Sequence, residues 1–173
     1  MEEKRLQKIT VRKADGSDAA ALAEILVKSF RAAFGEIISQ ETIERCSNEE
    51  NCRNMFAAIC ASGRGQFYLA ELEGKPCGEI YWCDSEELEN AAEIVAVHSL
   101  PETWGTGVGK AMLGAALDGI KAAGKESVYL WAFKDNKRAR RFYEKNGFAA
   151  DGAERVSQFD GAVEVRYVCT LER

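Results

Sequence analysis

The sequence predicts one α/β domain: a mixed, mainly antiparallel central sheet flanked by helices, with one parallel strand–helix–strand crossover. Three observations carry that prediction. Residues 128–133, Val-Tyr-Leu-Trp-Ala-Phe, are apolar on both faces, as a parallel strand covered by helices should be. Two strand-like runs, 66–73 and 77–83, flank Gly74-Lys75-Pro76 and read as an antiparallel hairpin. A second hairpin, with strands around 156–159 and 163–171, is joined by Asp160-Gly161, a favoured tight-turn pair.

The elements follow in order. A charged leader, residues 1–8, precedes a single domain over 9–173, and residues 9–14 alternate like a short strand. Asp15-Gly16-Ser17-Asp18 is a turn that also supplies helix N-caps. The next helix spaces Leu22, Ile25, Leu26, Phe30 and Ala33 at helical steps, and Gly35 ends it. Ser39 is read as the cap of a short helix through Ile43. Ser47-Asn48-Glu49-Glu50 fits a capping box and opens a helix with Cys52, Met55, Phe56 and Ile59 on one face, closed by Gly63. After the hairpin, an acidic loop from Asp84 to Asn90 leads into a strand over 92–98. A glycine-rich turn, 101–109, then precedes a helix burying Val108, Met112, Leu113, Ala116, Leu117 and Ile120 and stopping at Gly124. The strand 128–133 comes next, then a short helix from Asn136 to about Asn146, closed by Gly147, and the final hairpin.

Composition narrows the function. Lys and Arg number 23 against 28 Asp and Glu, a net charge of −5, and 46% of residues are apolar and 29% charged. That is a soluble globular composition, and an acidic chain with no basic block is a poor nucleic-acid binder. No apolar run approaches the roughly 20 residues of a membrane span. The charged start carries no apolar signal core, so a cytoplasmic protein is expected, with neither nucleic acid nor membrane as partner. The six cysteines contain no C-x-x-C, and His98, the only histidine, has no cysteine near it. Reduced structural thiols and no metal site are therefore expected.

The most informative segment is Gly105-Thr106-Gly107-Val108-Gly109-Lys110, between a strand and an amphipathic helix. Glycines let backbone N–H groups turn inward, and the first helical turn adds unpaired donors and a favourable dipole, a combination that binds phosphate. A dinucleotide fingerprint would need glycine where Lys110 stands, and a P-loop would need Gly at 104 and Ser or Thr at 111, where Trp104 and Ala111 stand. Both spacings fail.

The run from Glu93 to Gly109 resembles the acyl-CoA-binding signature of the GNAT superfamily of N-acetyltransferases. There, a strand ending in V-x-P is followed by [QR]-G-x-G-[AG] spacing and a helix. Downstream, residues 136–148 match the family's second pattern, N-x-x-A-x-x-F-Y-E-K-x-G-F, nearly letter for letter. Room for one helix and one strand separates the two blocks. The chain departs from the pattern at Trp104, in the Gln or Arg position, and at Ser99 and His98, where Val and Tyr are frequent.

The resemblance implies a GNAT-like fold and transfer of an acetyl group from acetyl-CoA to a primary amine of a small molecule or peptide. Acetyl-CoA would be an acyl-donor co-substrate, with no metal. The cofactor contacts it implies are Val97, Ser99, Gly105, Thr106, Gly107, Val108, Gly109, Lys110, Asn136 and Tyr143. Asn136 would hold the pantetheine arm, and Tyr143, two helical turns on and so on nearly the same face, would protonate the departing thiolate. The acceptor would enter over the N-terminal helices and the hairpin, at Phe30, Phe34, Glu79 and Tyr81, where aromatics with carboxylates suit a small cationic amine. A homodimer is left open.

The general base stays open among Glu93, His98, Glu79 and ordered water. Strict alternation puts Glu93 on one face with Val95 and Val97, and His98 on the other. A bulge, usual in this strand of the family, would break that parity. The departures at Trp104 and Ser99 keep a second reading alive, a non-catalytic acyl-CoA-binding sensor or interaction module.

Overall fold

A computed structural model describes residues 8–172. The rest of the expected leader, 1–7, and Arg173 lie outside the described residues. In chain order the elements are β1 (Ile9–Lys13), α1 (Ala19–Phe34), α2 (Gln40–Cys46), α3 (Glu49–Ser62), β2 (Gly65–Leu72), β3 (Lys75–Asp84), β4 (Ala91–Ser99), α4 (Val108–Ala122), β5 (Ser127–Phe133), α5 (Lys137–Lys145), β6 (Ala149–Val156) and β7 (Val163–Thr170). The strands form one sheet in the order β1-β2-β3-β4-β5-β7-β6. Among the described residues only β4 and β5 are parallel, and α4 is the crossover between them.

Two cores sandwich the sheet. On one face, Val108, Met112, Leu113 and Ile120 of α4 and Tyr143 of α5 pack on Ile80, Ile94, Val128 and Leu130. Gly78 admits α4 there, because a Cβ on it would stand 2.7 Å from the Met112 sulfur. On the other face, Leu22, Ile25 and Phe30 of α1, Ile43 of α2 and Phe56 of α3 cover Phe67, Leu69, Tyr81 and Phe133. Alternation along each strand divides its side chains between the two cores.

Local differences from the sequence reading have identifiable causes. Ser39 caps α2 by accepting the Thr42 N–H, but α2 continues to Cys46. Ser47 does not cap α3; its buried hydroxyl donates back to the Ile43 carbonyl, and Asn48 accepts the Asn51 N–H instead. The first hairpin turns on Glu73 and Gly74, both left-handed (φ 51° and 77°), so Lys75 and Pro76 belong to β3. β6 lies earlier than expected, and Asp160-Gly161, though left-handed, sits in a longer loop over residues 157–162. Two anchors hold that loop. Phe159 packs against Phe30 and Phe133, and Asp160 accepts from the Ser39 N–H and the Thr42 hydroxyl. The Asp160 carboxyl is held below its ordinary range, first by the Thr42 hydroxyl and then by the Ser39 N–H.

Candidate active site

The site begins as a defect in the sheet. β4 and β5 pair only from Ala91↔Ser127 to Ile94↔Leu130 and then separate. Beyond Ile94 each strand keeps its outer neighbour, β3 or β7, so alternate main-chain groups on the facing edges look into a gap. The glycine turn leaves the end of β4 on one side of the gap, and Asn136 opens α5 just past β5 on the other. An extended chain of polar amides fits such a gap by strand-like hydrogen bonding.

The turn is built for an anion. Gly105 and Gly107 are left-handed (φ 81° and 100°), a conformation glycine adopts without strain. Gly107 is the N-cap of α4 and has no side-chain capping bond, while the first helical bond is Ala111 N–H to Gly107 O at 3.0 Å. The N–H groups of Val108, Gly109 and Lys110 are therefore left outside the helical ladder, at the positive end of the dipole. A Cβ at Gly105 would meet nothing within 4 Å, so space lies open beside the turn. These residues fit a pyrophosphate.

Across the gap, the Asn136 side chain caps α5, accepting the Ala139 N–H at 3.1 Å. Tyr143 is 8% exposed and packs between Phe142, Phe148 and Tyr167. Its hydroxyl has no hydrogen-bond partner among the described residues. Burial pushes its pKa well up, and the nearby Arg138 charge opposes the shift only in part. Tyr143 is thus a protonated donor with its hydrogen uncommitted.

On the opposite face, a one-residue bulge decides what β4 presents. Tyr81 pairs with Ala96 but Trp82 pairs with Ile94, so Val95 is the extra residue, and it is 54% exposed. Glu93, opposite Cys83, and His98, opposite Glu79, consequently share a face, and Val97 turns to the other. This is the break in parity that a bulge would bring. His98 Nδ1 lies 2.9 Å from Glu79 Oε1. Glu79 is fully buried, and its second oxygen has no partner among the described residues. With Glu79 as the acceptor, Nδ1 carries the proton in this bond and the free ring nitrogen is Nε2. Glu93 takes a different partner, accepting from the Tyr129 hydroxyl at 3.1 Å. Burial raises the Glu93 pKa, with the Tyr129 hydrogen bond pulling the other way.

The expected acceptor residues divide. Phe30 stands 6.5 Å from the His98 ring and 4.8 Å from Phe34. Phe133 and Phe159 complete that aromatic wall. Tyr81, on the same face of β3 as Glu79, is stacked on Phe67 at 4.3 Å. Sequence reasoning missed Phe159 and Tyr129. An aromatic stranded in the polar loop 157–162 was the available signal for Phe159; Tyr129 had none, because its hydroxyl matters only once β5 lies beside Glu93. No helix among the described residues is long and apolar enough to cross a membrane, and no cluster of metal-ligating side chains occurs among them.

Comparison with known proteins bears on family and fold. An uncharacterized N-acetyltransferase of Archaeoglobus fulgidus is 25% identical over 137 residues, covering 77% of this chain and 88% of that protein. One of Methanocaldococcus jannaschii is 34% identical over 86 residues, 47% of this chain but 38% of the relative's length. The PaiA N-acetyltransferase of Thermoplasma acidophilum, solved in complex with coenzyme A, superposes with a TM-score of 0.77 at 22% identity, over 95% of this chain and 99% of that one. A GCN5-related N-acetyltransferase from Rhodopseudomonas palustris gives 0.78 at 22% identity, over 98% and 99%. Those structural likenesses establish a shared fold. Residues 20–148, most of the chain, match the acetyltransferase (GNAT) family, and the chain belongs to that family.

Proposed function

We propose that the protein is an acetyl-CoA-dependent N-acetyltransferase acting on a primary amine of a small molecule or peptide by direct attack. The observation that carries this reading is a pairing of groups, one on each face of the sheet. Tyr143 stands on one side with an uncommitted hydroxyl, and the His98–Glu79 pair lies on the other face. The same pairing disfavours a merely binding module, which needs neither group.

The bound acetyl-CoA supplies an activated thioester. The glycine turn and the uncapped start of α4 bind its phosphates, and the gap between β4 and β5 orients its amide arm. A free alkyl amine is only about one part in a thousand neutral at pH 7, so a proton acceptor is useful. His98 Nε2 takes that proton, and Glu79 steadies the imidazolium through Nδ1. We prefer His98 to Glu93 because the Tyr129 hydroxyl already engages Glu93, which lies where β4 and β5 still pair. Main-chain N–H groups of β4 beyond Ile94 face the charge that develops on the carbonyl oxygen. Tyr143 donates to the departing sulfur, a modest task for a thiol with pKa near 8.5. Phe30, Phe34, Phe133 and Phe159 exclude water and offer ring faces to a cationic acceptor.

Calorimetric titration with CoA tests the cofactor site. The wild-type protein should bind, and Gly107→Glu should abolish binding by setting a carboxylate against the phosphates. A Cβ at position 107 would meet only Ile9 Cδ1, at 3.7 Å, so the new side chain has room, though the left-handed backbone is strained. A folded Gly107→Glu protein, checked by circular dichroism, that still binds CoA normally would refute the assignment. A panel of amines assayed by thiol release then identifies the acceptor.

A further inference from the structure

Trp104 lies just before the glycine turn, and its Nε1 donates to the Ser99 carbonyl at the end of β4, at 3.0 Å. That bond fixes the indole plane. Over the ring lies Arg138, its guanidinium carbon 3.3 Å from the ring centroid. Arg138 belongs to the first turn of α5, so this stack joins the two walls of the gap.

Several arginines near this sheet are committed. Arg12, Arg155 and Arg166 each pair with carboxylates, and Arg140 donates to the Tyr167 hydroxyl and the Lys134 carbonyl. Among the described residues no carboxylate pairs with Arg138. Stacking uses the face of a guanidinium and leaves its N–H edge free, and that edge is a planar fork suited to phosphate. The Arg138 charge also acts on the buried Tyr143 hydroxyl.

We infer that Arg138 is a side-chain ligand of the cofactor's phosphates, and that Trp104 is a positioning residue that holds it there without touching them. This rests on the reading that the gap takes CoA. The indole fixes the guanidinium plane before the anion arrives, so little side-chain freedom remains to be lost on binding.

The test compares CoA binding by calorimetry with turnover of S-acetylpantetheine, a thioester without phosphate. Arg138→Gln should weaken CoA binding by about 10- to 100-fold, the range for hydrogen bonds to a charged group. Its binding should also depend less on salt, while kcat/KM for S-acetylpantetheine falls by a much smaller factor than CoA affinity. Trp104→Ala should give a comparable loss, with the double variant no worse than Arg138→Gln alone. Arg138→Lys should recover only part of the affinity, because a point charge lacks the fork. CoA binding within twofold of wild type in Arg138→Gln would overturn the inference. So would equal losses toward CoA and S-acetylpantetheine, which would mean that the stack only supports the fold. Wild-type protein that binds no CoA at all would instead defeat the proposed function itself.

Discussion

Glu79→Gln is the most discriminating single change in the site. Glu79 is fully buried in β3, with one oxygen on His98 and the other unpartnered. A buried polar group without a partner costs about 1–3 kcal/mol, so stability alone would favour an apolar residue here. The glutamine has nearly the same volume, and its carbonyl can still accept from His98 Nδ1. What it lacks is the charge that steadies the imidazolium. Hydrogen bonds to charged groups contribute about 1.5–3 kcal/mol against 0.5–1.5 for neutral ones, a difference of about 1–2 kcal/mol. That difference is about 5- to 30-fold in rate.

Steady-state thiol release with an accepted amine, alongside thermal melts, should therefore show kcat reduced by about 5- to 30-fold. KM for the amine should be nearly constant and the melting temperature unchanged or higher. His98→Gln should lose more, about 10²–10⁴-fold, because it removes the base itself. In that background Glu79→Gln should cost nothing further, since its only catalytic partner is gone. If Glu79→Gln costs the same factor with and without His98, the two do not act as a unit and the assignment of the base is wrong.

Tyr143→Phe keeps the ring and its packing and should cut kcat by about 10²–10⁴-fold with CoA affinity nearly unchanged, once chemistry is shown to limit turnover; a wild-type rate would move the acid to another group. Asp160→Asn should reveal the acid dependence of the loop anchor. The folded carboxyl titrates below its unfolded value, so its stabilisation is complete above about pH 5 and is lost as pH falls below about 4 through the folded value. Chemical denaturation should show the wild type ahead of the variant at neutral pH and the gap closing in acid; a difference independent of pH would contradict the role of the charge.

Much of this site was legible as sequence because backbone chemistry writes itself into residue types. A left-handed turn wants glycine, so Gly105 and Gly107 were visible before any contact was known. The strand at 128–133 and the helix ending at Gly147 were legible from their apolar texture and punctuation. Contacts between distant segments were not legible. Trp104 read as a departure from a pattern, because nothing in the run 101–110 says that a cation from α5 will cover its ring. Ser47 fitted a cap by spacing, yet it was used to finish the helix before it, a choice made by burial.

The bulge at Val95 shows why such limits bear on function as well as on fold. Period-two alternation is the only rule a sequence offers for assigning strand residues to faces, and one inserted residue inverts the assignment for everything beyond it. By alternation Glu93 and His98 stand on opposite faces, so only one of them could meet an acceptor arriving over α1. With Val95 turned out, both lie on the α1 face, and Val97 goes to the face where α4 packs. A valine at a bulge looks the same in the sequence as a valine in the ladder. The bulge also sits where β4 leaves β5, one residue past the last paired position, Ile94. The added twist of a bulge helps to part the two strands there. One residue thus puts His98 and Glu93 on one face at the point where the strands part, and the strand's chemistry cannot be read until the bulge is located.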